Sequence, residues 1–222
     1  MRSGSHLAAL LLLLPLSTPA NAHPHVFIDT DFSLVFSPSG ELQAIRVDWA
    51  YDEFYSLLMI EENGLDSDGD GTPEQERLDA FAGQDVDWAA GFPGDFSVEI
   101  ASQPVTLRGP EQHKVRFENG RVITSHIRPL ASAVAVAGAD IVARSYDPSY
   151  FVAYDVPKEP RIDGRDDCRV RRDKADEAAA QAKYGEKLAA LDVTDDPFQE
   201  IEIPDIGILF ADSFVVSCDA PS

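Results

Sequence analysis

His23, Pro24 and His25 follow directly on Ala20-Asn21-Ala22. Those small residues close a segment with a basic start and an apolar run from Leu7 to Leu16, so residues 1–22 read as a signal peptide. Cleavage after Ala22 frees the α-amine of His23. That amine and the ring Nδ1 close a six-membered chelate on a metal ion. In an extended segment, residues two apart point the same way and lie about 6.6 Å apart along the chain, so His25 supplies a further nitrogen. Pro24 decides the mode of binding. A square-planar amine–amide–amide–imidazole site needs a backbone N–H at the second residue, and proline has none. Imidazole and amine ligation remains, which suits Ni, Co, Zn or Cu. His126 is the candidate third ligand, with His113 the other histidine on an expected strand. Asp29 shares a face with His25 but lies about 13 Å along the strand, outside its reach. Asp52, Glu53 and Asp147 are candidates to orient a ligating imidazole from behind.

A second constellation is Asp66-Ser67-Asp68-Gly69-Asp70-Gly71. Acids at the first, third and fifth positions and glycine at the sixth match the first half of a calcium loop. The twelfth position, where a bidentate Glu belongs, is Arg77. Glu76 stands one place earlier, so the expected calcium set is Asp66, Asp68, Asp70 and a re-aimed Glu76. A calcium ion here would stiffen structure rather than sense concentration.

The elements that must position these groups are mostly strands. Val26 to Phe36 and Leu42 to Tyr51 alternate and predict a hairpin. Glu53 to Glu62 and Pro73 to Phe81 predict short helices, Pro73 lying in the first turn. Further strands are expected near Phe96–Ala101, Val105–Leu107, His113–Glu118, Val122–Ile127, Ala131–Ser145 and Tyr150–Val156. Asn119-Gly120 is the strongest hairpin turn. Asp173 to Leu191 predicts a late helix and Ile206 to Val216 a last strand. Asp95-Phe96-Ser97 reads as an isolated fragment without signal. The expected fold is α+β, mostly antiparallel and sandwich-like. One β-rich domain spans 23–222, with a helical, acidic-loop insertion at about 53–90.

Cleavage shortens the chain from 222 to 200 residues, enough to bury a core without staples. It removes Arg2 and no acid, taking the formal charge from −21 to −22. Such a chain is repelled by nucleic acid and by anionic membrane. Cys168 and Cys218 are an even pair in an exported chain and predict one disulfide. A leader with no second membrane-length run predicts a periplasmic protein. No nucleophilic triad, phosphate loop or nucleic-acid face is visible, so no enzyme is expected.

Several segments together resemble a known family. They are His23-Pro24-His25-Val26-Phe27, Trp49-Ala50-Tyr51-Asp52-Glu53, the Asp66–Gly71 loop, Tyr146-Asp147-Pro148-Ser149-Tyr150 and Val215-Val216-Ser217-Cys218. In this order they are similar to a bacterial periplasmic family of unknown function, often labelled a component of an ABC-type transport system. The resemblance implies association with nickel/cobalt-type permeases. A two-lobed solute-binding fold does not suit a short, β-rich chain. The leading expectation is a metal-binding accessory protein beside an inner-membrane metal permease. The alternatives are a copper-dependent redox enzyme built on the N-terminal histidine, and a non-catalytic interaction module with a calcium-stabilised insertion.

Overall fold

A computed structural model describes residues 24–136, 138–191 and 205–219. The expected signal peptide, residues 1–22, and His23 lie outside the described residues. Two strands, β1 (Val26–Phe36) and β2 (Glu41–Tyr51), form the expected hairpin. Alternation decides their faces: Ile45, Val47, Trp49 and Tyr51 are buried, as are Ile28, Thr30, Phe32 and Leu34 opposite them. A second hairpin pairs β5 (Glu111–Glu118) with β6 (Arg121–Ala135) through Asn119-Gly120. Both turn residues have positive φ, +54° and +78°, the requirement of a two-residue type I′ turn.

The remaining strands are β3 (Phe96–Ile100), β4 (Gln103–Pro104), β7 (Ile141–Ser145), β8 (Val152–Asp155), β9 (Arg161–Asp163), β10 (Cys168–Asp173) and β11 (Ser213–Cys218). One sheet runs β5-β6-β2-β1-β8, and β9 also pairs with β1. In that sheet β8 and β9 are parallel to β1. The other sheet, β10-β11-β7-β3-β4, is antiparallel throughout. The two face each other across Phe32. Its ring meets Phe96 at 4.9 Å and Phe214 at 5.6 Å, both edge-on. The Thr30 and Ser145 hydroxyls hydrogen-bond across the same gap at 3.3 Å. The fold is therefore α+β, mostly antiparallel, with its sheets packed as a sandwich.

Helices α1 (Glu53–Asn63) and α2 (Gln75–Phe81) follow β2, and Met59, Leu65, Leu78 and Phe81 join the sandwich core. Among the described residues, no helix is long and apolar enough to cross a membrane.

Four expectations about elements are corrected. Strand β6 does not stop at Ile127 but runs on through Pro129, which a register shift beside Ala44 accommodates; proline enters sheets at such irregularities. The one strand expected over Ala131–Ser145 is two, β6 ending at Ala135 and β7 beginning at Ile141, and Gly138 has φ +78°. The expected helix from Asp173 begins later, as α3 (Glu177–Leu191), because Cys168–Asp173 is a strand. The last strand is preceded by a short 3-10 turn, Gly207–Leu209. The disulfide is present: Cys168 stands directly opposite Cys218 on β10 and β11, Cα to Cα 4.0 Å.

Candidate metal sites

The N-terminal motif, the Asp52 motif and the Asp147 motif meet at one rim of the first sheet. The His25 backbone N–H donates to Phe151 O at 2.9 Å. The His25 ring lies 4.7 Å from the Phe151 ring and is exposed. One step on, Phe27 exchanges bonds with Asp52: its N–H donates to Asp52 Oδ2 at 3.1 Å, and its carbonyl accepts from Asp52 N. Asp52 is also the N-cap of α1, accepting from Tyr55 N at 2.9 Å, the role short acids fill best. Glu53 sits in the first turn of that helix, its side chain near Gly120.

Asp147 organises its own loop. Its carboxylate accepts from Ser149 N and Oγ, Phe151 N and Val152 N, at 2.8 to 3.0 Å. Those bonds fix Phe151 beside His25. Tyr150, with φ +60°, stacks on Phe210 at 3.9 Å. Asp29 is engaged by Arg121. Asp52 and Asp147 thus frame the start of β1 by holding backbone, while His25 presents its ring.

His126 is placed elsewhere. It faces Val47 on β2, and Val47 faces Phe32 on β1. Seven strand steps separate Phe32 from His25, about 23 Å. His126 and His25 therefore do not share an ion, which corrects the expected three-histidine set.

In the acidic loop, ligand atoms of Asp66, Asp68 and Asp70 lie within 4.8 Å of one another. Asp66 accepts from Gly69 N and Gly71 N, Asp68 from Asp70 N, and Asp70 from Thr72 N. Glu76 is not in that group. Glu74 is turned onto Ser67, and Arg77 joins Glu74 at 3.6 Å and the Gly64 carbonyl at 3.0 Å. The arginine at the closing position ties the loop shut through its own bonds.

Sequence reasoning passed over the interior. Between the first sheet and the segment after α2, the rings of Trp49, Trp88, Phe92, His113 and His126 come together. Tyr51 and Thr124 both donate to Asp85 Oδ2, at 3.0 and 2.6 Å. Arg128, 5 % exposed, donates to Arg108 O and Pro93 O and lies over Trp88 at 5.5 Å. Gly94 permits this: a Cβ there would stand 1.7 Å from Arg128 Nη1. A signal was available for the histidines. A two-residue turn at Asn119-Gly120 pairs Glu118 with Arg121, Phe117 with Val122 and Lys114 with Ser125. Continuing that register sets His113 beside His126.

A family model described as protein of unknown function (DUF1007) matches residues 8–218. The chain belongs to this family. No curated protein and no solved structure is matched.

In this DUF1007 member burial sets the charge states of the interior. Burial, then the Arg128 charge, then His113 push the His126 imidazole down to about 3, so it is neutral near pH 7. Asp95 is pushed up to about 7, first by burial and then by Asp147, against the lowering bond from Tyr154 at 2.9 Å. The fragment read as carrying no signal therefore holds a buried carboxyl, at φ +42°.

The two groups give opposite slopes. For Asp95 the folded pKa lies above the unfolded value near 3.8, so its stabilisation is complete below pH 3.8 and lost as pH rises through 7. For His126 the folded pKa lies below 6.5, so its stabilisation is complete above 6.5 and lost as pH falls toward 3. Each slope is at most about 1.4 kcal/mol per pH unit. Asp95→Asn keeps an acceptor for Tyr154 and tolerates positive φ. We expect this variant to melt higher than wild type at pH 8, with the gap closing by pH 4. Equal gaps across a thermal-melting series from pH 4 to 8 would contradict the assignment.

Proposed function

We propose that the protein is a periplasmic metal-binding accessory of a divalent transition-metal transport system. It holds Ni, Co, Zn or Cu through the His23 amine and imidazole and the His25 imidazole, and exchanges the ion with an inner-membrane permease. The observation that carries this reading is the anchoring of His25 on Phe151 at the start of β1. Cleavage after Ala22 leaves three residues before a rigid strand, so the new amine is held near His25 rather than on a long tail. Exposed Phe27, Phe54, Leu57 and Phe151 belong to the same rim and to the first turns of α1, an apolar collar suited to a protein partner. Asp66, Asp68 and Asp70 are proposed as a calcium site that stiffens the link between α1 and α2.

The experiment is calorimetric titration of the chain beginning at His23 with Zn, Ni, Co and Cu, calcium present throughout. Two variants run beside it: one with an extra residue before His23, the other His25→Ala. Both are expected to lose affinity about tenfold or more, 1.4 kcal/mol. Equal binding by all three proteins would refute the site. The collar would then favour an interaction module, in which replacing the histidines leaves partner binding unchanged.

A further inference from the structure

Trp49 Nε1, Trp88 Nε1 and His126 Nε2 are buried without a hydrogen-bond partner among the described residues. Their rings adjoin: Trp49 to Trp88 at 6.1 Å and parallel, His126 to Trp49 at 4.8 Å and to Trp88 at 5.2 Å. Leaving even one such group unpaired is costly, and an orphaned buried atom commonly marks an absent water or ion; of the three, only His126 Nε2 carries a lone pair that binds a cation, the two indole N–H groups being donors. His113 completes the group, 6.2 Å from both His126 and Trp88. It lies beside a β-bulge: the register shifts between Glu111 and Lys114, and Gln112 has φ +57°. Bulges occur where a sheet aims a side chain at a site. Gly83 lets the covering segment lie on that ring, since a Cβ there would stand 2.9 Å from His113 Cγ.

We propose that His113 and His126 form a second, interior metal site, for a monovalent d10 ion such as Cu(I), walled by Trp49 and Trp88. Three observations choose the ion. The first is the spacing. Two metal–nitrogen bonds of about 2.0 Å, with the reach from each ring centre to its nitrogen, span about 6 Å when the three centres are in line. The 6.2 Å between the ring centres equals that span, so one ion fits between the two rings when each turns a nitrogen to it. The second is the ligand count. Among the described residues, the one group of three or more His, Cys, Asp or Glu placed to share an ion is Asp66, Asp68 and Asp70, so no third such ligand joins the histidines. The third is charge. Arg128 lies two residues from His126 on the same strand face, about 6.6 Å along it. Its repulsion grows with the charge of the ion and penalises a divalent cation most. Indole faces attract a desolvated cation.

The chain has only two tryptophans, so all tryptophan emission reports on this site. The test uses untagged protein carrying His25→Ala, which removes the N-terminal reading from the result. Titration with Ag(I), a redox-inert monovalent d10 probe, is expected to change emission and saturate at one equivalent. Zn(II) is expected to bind at least tenfold more weakly by the same signal. Adding His113→Asn should lower Ag(I) affinity at least tenfold while the metal-free melting temperature holds. His113 is only half-buried, which favours an intact fold. Unchanged emission with Ag(I), or unchanged affinity in His113→Asn, would overturn the proposal. Either result leaves the N-terminal site untouched.

Discussion

Gly207→Ala is expected to destabilise the protein by about 3 kcal/mol and to weaken metal binding at a residue it never touches. Gly207 is buried, and a Cβ there would stand 1.7 Å from the Asp147 carbonyl oxygen and 3.2 Å from the Pro148 carbonyl carbon. The obstacle is backbone, not the end of a pliable side chain, so the two segments must separate. Gly207 N–H also donates to Pro148 O at 3.0 Å, and that bond would be lost. The displaced segment is the Asp147 loop, which carries Phe151 and through it anchors His25. Chemical denaturation measures the first effect, and calorimetry on the same protein the second. A variant with wild-type stability would show that the contact between Gly207 and Asp147 is not a tight one.

The second large effect concerns the disulfide. Cys168 and Cys218 are 50 residues apart in sequence. In the chain-entropy model, opening a loop of that length costs about 4 kcal/mol. The bond also pins β10 to β11, and Phe214 on β11 packs against Phe32 of the opposite sheet. A Cys168→Ser, Cys218→Ser variant should unfold at markedly lower denaturant, with a somewhat steeper dependence on denaturant because its unfolded chain is no longer held in a loop. A loss below about 1 kcal/mol would mean that the unfolded chain is already restrained without the bond.

Local patterns in the sequence carried much of this fold. Alternation from Val26 to Phe36 marks β1 at the bounds the structure shows, and Asn119-Gly120 marks the β5–β6 hairpin. Asp52, expected to orient an imidazole, instead caps α1. Patterns that depend on a distant partner were silent. Cys168–Asp173 alternates charge with half-buried residues, and only the facing β11 makes it a strand. Pro129 looks like a strand end until the register shift against β2 is known. The Asp147 motif stands out in sequence, yet its role is to fold a loop onto β1, which needs the parallel pairing of β8 to be seen. The interior cluster was hidden for a different reason. Its cover, residues 82–95, has no periodicity, so nothing announced that Asp85 and Trp88 would close over the inward row of β6, or that Asp95 would meet Tyr154 of β8. The partnership of His113 with His126 was legible from the turn register, but it required reading the hairpin from its turn outward.

The claim most exposed to direct test is that a chain beginning at His23 carries its metal site at that end. Anomalous scattering from crystals of the chain beginning at His23, loaded with one equivalent of nickel, locates the ion among the three candidates. The account predicts the strongest peak beside His25 and Phe151. A strongest peak at Asp66–Asp70, or between His113 and His126, with none at His25, would contradict it.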